Sequence, residues 1–89
     1  MIDIGNKMLE FLDIDESNIR AFHIKIMENI KKIRKEKKIT QSELAQIIGH
    51  KSVSTIGQIE SCYKNKHYSV EQLYKISIAL NTDICNFFK

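Results

Sequence analysis

Residues 40–60, TQSELAQIIGHKSVSTIGQIE, decide the reading of this chain. Thr40, Gln41, Ser42 and Glu43 form a capping box. In it the threonine hydroxyl accepts from an orphan N–H of the first helical turn, and the glutamate reaches back to the capping residue. The helix that follows has Leu44, Ala45, Ile47 and Ile48 as its apolar side, and Gly49 suits the left-handed backbone that ends it. Ser52 is placed to cap a second helix over residues 53–62, with Ile56 and Ile59 turned inward and a leading edge that is polar and uncharged. Many small proteins use a helix, a short turn and a second helix to set one helix into the major groove of DNA.

On both sides of this stretch the apolar spacing remains helical. Upstream, Ile19, Phe22, Ile26, Ile30 and Ile33 recur at steps of three and four. They predict a helix over residues 17–37, breaking near His23 and preceded by a D-x-x-E capping box at residues 13–16. Earlier still, Asn6 caps an expected short helix over residues 7–12, with Met8, Leu9, Phe11 and Leu12 on its apolar side. Downstream, a second full capping box at residues 69–72 leads into Leu73, Ile76, Ile78, Ala79 and Leu80. Asn81 ends that helix in left-handed geometry, and Thr82 caps a final short helix carrying Ile84, Cys85, Phe87 and Phe88. The expected fold is all-α: a compact five-helix domain over residues 23–89 behind a short helical extension over residues 1–22.

A chain of 89 residues holds one domain. A domain of that size buries only about 60–65% of its unfolded surface. The net charge of +3 hides an asymmetry. Residues 1–23 hold two bases and five acids, a net −3, whereas the remainder holds twelve bases and six acids, a net +6. The basic part is where a polyanion docks. Cys62 and Cys85 belong to no CxxC motif and read as reduced, semi-buried thiols of a cytoplasmic protein. The first sixteen residues lack a basic leader and a long apolar run, so no signal peptide is expected. No stretch approaches the ~20 apolar residues that span a bilayer, so no membrane partner is expected.

No Ser/His/Asp or Cys/His set, glycine-rich phosphate loop or partnered carboxylate pair is identifiable, so neither enzymatic activity nor a cofactor is expected. His23, His50, His67, Cys62 and Cys85 offer no second pair of ligands at zinc spacing, so no metal site is expected.

Taken in order, several features resemble the phage-repressor-like, Xre-type helix-turn-helix family over about residues 26–88. They are Arg34 in the first core helix, the T-Q-x-E-L-A run, the turn glycine Gly49, I-x-x-I-E at residues 56–60 and L-x-x-I-x-x-A-L at residues 73–80. The resemblance implies a lambda-repressor-like fold and sequence-specific binding of double-stranded DNA by a transcriptional regulator, a repressor. It implies a structural ion pair between Arg34 and Glu60, and a phosphate contact from Gln41 at a helix N-terminus. Base reading is expected from Val53, Ser54, Thr55 and Gln58. Gln suits adenine through two groups, Ser or Thr suits several bases, and Val53 suits a thymine methyl. His50 and Lys51 in the turn, and Lys64, Lys66 and Tyr68 in the following loop, are expected on phosphates.

The sequence departs from the family pattern at four places. The turn at residues 49–52 is one residue longer than usual, Lys38 stands where glycine is frequent, Gly57 lies inside the second helix, and residues 61–68 form a long loop without Gly or Pro. Single modules bind symmetric sites in pairs, so a homodimer is expected, through Ile84, Phe87 and Phe88 or through Ile4, Met8, Leu9, Phe11 and Leu12. The acidic, apolar extension also suits a partner protein's groove, as in an antitoxin that neutralises a partner and regulates its own operon.

Overall fold

The computed structural model describes residues 14–49 and 53–89. Among them are four α-helices, two 3-10 elements and no strand. Helix α1 is Glu16–Glu36, α2 is Gln41–Ile47, α3 is Val53–Glu60 and α4 is Val70–Ala79. A 3-10 turn at Tyr63–Asn65 follows α3, and a 3-10 helix at Ile84–Phe88 closes the chain. The expected helix over residues 7–12, Asp13 and the Ser52 cap lie outside the described residues.

Asp15, not a box at residues 13–16, caps α1. Its carboxylate accepts from the Ser17 hydroxyl at 2.6 Å and the Asn18 N–H at 3.0 Å. Those two donors, the hydroxyl first, hold the Asp15 carboxyl below the ordinary range. The expected break near His23 does not occur. Residues 16–36 contain no Gly or Pro, and α1 runs unbroken across the expected domain boundary at residues 22 and 23. Because it extends past the core, its stripe divides. Ile26, Met27 and Ile30 are buried, whereas Ile19 and Phe22 are exposed, as is Ile14 just before the helix. The Phe22 ring stacks instead on Phe88, with centroids 6.2 Å apart.

Helix α1 ends in a Schellman motif. Ile39 N–H donates to Arg34 O and Lys38 N–H to Lys35 O, both at 3.0 Å. This places Lys38 at φ 59°, left-handed backbone that glycine adopts without the Cβ clash. The Thr40 box then starts α2: Thr40 Oγ1 accepts from Glu43 N–H, and Glu43 Oε1 accepts from Thr40 N–H, both at 3.0 Å. Gly49 follows α2 at φ +78°. Ala45 is only 1% exposed where α2 packs on α3, so a longer side chain there meets filled space.

The Ser69 box starts α4 in the same way, and a second Schellman motif ends it, with Asn81 at φ 50°. Asp83, not Thr82, caps the last element by accepting from Cys85 N–H at 2.9 Å. The element is 3-10 rather than α, as short closing helices often are.

One core unites the helices: Ile26, Met27 and Ile30 of α1, Leu44 and Ala45 of α2, Ile56 and Ile59 of α3, Leu73 and Ile76 of α4, with Ile48, Tyr68, Leu80 and Phe87. Three expectations change here. Phe87 is fully buried and tied to α1, its carbonyl accepting from Asn29 Nδ2 at 2.9 Å, so it offers nothing to a dimer surface. Ile47 and Ile78 lie outside the buried arcs of α2 and α4 and are exposed. Cys62 and Cys85 are exposed rather than semi-buried. No described helix is long and apolar enough to cross a membrane.

Candidate nucleic-acid interface

The orientation of α3 is set from its inner side. Ile56 and Ile59 enter the core, and Glu60, one turn beyond Ile56, meets Arg34 of α1. Arg34 Nε donates to Glu60 Oε2 at 2.8 Å and Nη2 to Oε1 at 2.9 Å, a fork of two parallel bonds. Arg34 Nη1 donates to the Ile39 carbonyl at 2.6 Å, and Gln41 Nε2 donates to Glu60 Oε1 at 3.0 Å. Both charges of the pair are buried. The cluster therefore joins the end of α1, the start of α2 and the end of α3. Gly57 belongs to this junction, since a Cβ there would lie 3.3 Å from Gln41 Oε1. The glycine leaves room for the Gln41 side chain.

With that side engaged, α3 turns its other edge outward. Val53 and Ser54 are exposed, and Thr55 and Gln58 are half-buried. The one acid of α3 is Glu60, already paired, so the outer edge has no negative charge. Gln58 Oε1 accepts from Lys66 Nζ at 2.6 Å. Lys64 holds its ammonium 5.3 Å from the centre of the Tyr63 ring, a cation–π contact on an exposed loop. His50 and Lys51 lie outside the described residues.

Tyr68 corrects an expectation. It is 5% exposed, within the core, and its hydroxyl has no hydrogen-bond partner among the described residues. Burial first, and then the nearby Glu60 carboxylate, push its hydroxyl pKa up, against the opposing effect of Arg34. Lys64, Lys66 and His67 around it are exposed, which leaves Tyr68 as the apolar group that closes the core at the start of α4. It is unavailable to a phosphate.

The loop that carries Lys64 and Lys66 gains its shape without glycine. Cys62, Lys64 and Asn65 all have positive φ, at 60°, 48° and 56°. The His67 ring stacks on His23 of α1, with centroids 3.7 Å apart and planes 15° from parallel. Burial, and then the neighbouring His67, lower the His23 pKa. The His67–His23, Lys66–Gln58 and Gln41–Glu60 contacts carried no local sequence signal, because each depends on how a loop or a helix end folds back. Among the described residues, no three His, Cys, Asp or Glu side chains converge as metal ligands would.

A helix held by its inner face, with an uncharged polar outer edge and lysines in the next loop, defines a DNA-binding helix-turn-helix regulator. The chain belongs to the Xre-type, lambda-repressor-like helix-turn-helix family, whose model matches residues 30–87. No curated protein and no solved structure matches the chain.

Proposed function

We propose that this protein is a sequence-specific transcriptional repressor of the cytoplasm that inserts α3 into the major groove of double-stranded DNA. The observation that carries this reading is the two-sidedness of α3: Ile56, Ile59 and Glu60 are fixed inward, and Val53, Ser54 and Gln58 lie along the other edge. Val53, Ser54, Thr55 and Gln58 are the proposed base contacts. Gln41 and Lys64, with His50 and Lys51 in the turn, are the proposed phosphate contacts. Two copies bind one site, with half-sites about 34 Å apart. Phe88, exposed and stacked on Phe22, remains a candidate for the dimer surface, together with Ile84.

Selection of bound duplexes from a random pool tests this. The expected result is an inverted repeat with one helical turn between half-site centres, bound with a steep salt dependence. Recovery of unenriched sequence, or of binding insensitive to replacing Ser54, Thr55 and Gln58 together by Ala, would contradict it.

A second reading rests on the exposed apolar residues Ile19 and Phe22 near the start of α1 and Ile14 just before it. In it the N-terminal region holds a partner protein's groove, as an antitoxin does, while the remainder binds DNA. Deletion of residues 1–16 then abolishes partner co-purification and leaves DNA binding intact; loss of neither removes this reading.

A further inference from the structure

An ammonium group only donates hydrogen bonds, so the contact between Lys66 Nζ and Gln58 fixes which end of the amide faces the lysine. It is the oxygen, at 2.6 Å. The Nε2 hydrogens of Gln58 are therefore left for a ligand. A glutamine that reads adenine uses both ends of its amide, accepting from the N6 amino group and donating to N7. In Gln58 the accepting end is engaged. Its second lone pair is reached only by bringing an adenine amino group, another donor, beside the lysine ammonium. Guanine has no such conflict, because its major-groove edge presents two acceptors, N7 and O6.

The loop backbone that presents Lys66 is held on both sides of that residue. Lys66 N–H donates to Tyr63 O at 3.0 Å, Asn65 N–H donates to Cys62 O at 3.3 Å, and the next ring, His67, stacks on His23 of α1. His67 Nδ1 faces the Asn65 carbonyl at 3.2 Å, where a protonated Nδ1 donates to it. The ammonium is thus carried at the outer edge of α3 by a braced loop.

We propose that Lys66 is a specificity-determining residue: by engaging the Gln58 carbonyl oxygen it converts a side chain suited to adenine into one that selects guanine. Lys66 acts as a positioning residue through Gln58 and contributes its own remaining N–H donors beside it. This replaces the phosphate contact expected for Lys66. It rests on the proposal that α3 enters the major groove.

The test compares sequences selected from a random duplex pool by the full-length protein, by Lys66→Met and by Gln58→Ala. Lys66→Met keeps the aliphatic stem and removes only the exposed ammonium. The position whose preference disappears in Gln58→Ala is the one that Gln58 reads. There the unaltered protein should favour guanine over adenine by about tenfold or more. Lys66→Met should turn that preference to adenine and leave the other positions as they were. Adenine preferred by the unaltered protein, or guanine retained unchanged by Lys66→Met, overturns the inference while the DNA-reading proposal stands. Failure of all three to enrich any sequence removes both. Circular dichroism of the variants confirms that each remains folded.

Discussion

Two residues apart on α3, Glu60 and Gln58 each accept a hydrogen bond from a cation that another part of the chain supplies. Arg34 comes from α1 and is buried with Glu60; Lys66 comes from an exposed loop. Water cannot replace either member of the inner pair, so its two-pronged geometry and the added Gln41 and Ile39 contacts must offset the cost of burying both charges. At the outer pair, which is open to solvent, loss of either partner costs the fold little. Similar local chemistry therefore has opposite consequences on the two sides of one helix. The inner pair fixes where α3 lies, and the outer pair changes what α3 presents.

The largest expected effect lies on the inner side. Glu60→Ala or Arg34→Ala should each lose about 3–5 kcal/mol, because each strands a buried charge. That is a large share of the ~5–15 kcal/mol typical of a domain, so urea denaturation should show a deep fall in midpoint. Replacing both together by apolar residues of similar volume should recover much of the loss. A single-variant loss below about 1 kcal/mol would place the pair with ordinary surface bridges and dissolve the contrast.

Next in size is Lys38→Gly, at the Schellman turn that leads to the Ile39 carbonyl used by Arg34. Relief of left-handed strain, ~1–2 kcal/mol, exceeds the entropic cost of a glycine, ~0.5–1 kcal/mol, so a small gain in stability is expected. A loss in the same denaturation experiment would mean that the lysine stem makes packing contacts that outweigh the backbone. On the outer side, Gln58→Ala and Lys66→Met should each move stability by less than about 0.5 kcal/mol. An outer variant as costly as an inner one would show that both pairs serve the fold.

The smallest expected effect concerns the brace behind Lys66. The folded state lowers the His23 pKa below the ordinary 6.5, chiefly by burial, so on acidification the unfolded chain takes up that proton first. Stability should therefore fall as the pH drops below about 6.5, and His23→Gln should flatten that part of the profile. Melting curves across the range check it. Glu43, whose carboxyl is held low first by the Thr40 N–H and then by its hydroxyl, adds a loss in the same direction at more acid pH.

The features that were legible in the sequence are those with a local cause. The boxes at Thr40 and Ser69 and the left-handed residues Gly49 and Asn81 each act within one turn of helix. Lys38 could be suspected of strain because a helix end states its own backbone requirement. What escaped depends on contacts between distant segments. Helical spacing placed Phe22 and Ile19 on the same stripe as Ile26 but could not say where the core ends beneath them. Tyr68 sits in a polar run, SCYKNKHY, and only the fold of that loop turns it inward. Lys66 gave no sign of its bond to Gln58, since a loop with three non-glycine left-handed residues has no recognisable pattern.

The central claim, that the outer edge of α3 is the face that meets DNA, is tested most directly by adding a selected duplex to the 15N-labelled protein and following its backbone amides. The expected result is that the largest shifts fall on Val53, Ser54, Thr55 and Gln58, with smaller ones at Gln41, Lys64 and Lys66. Shifts concentrated on the exposed Val70, Tyr74 and Ile78 of α4, with the α3 amides unmoved, would contradict it.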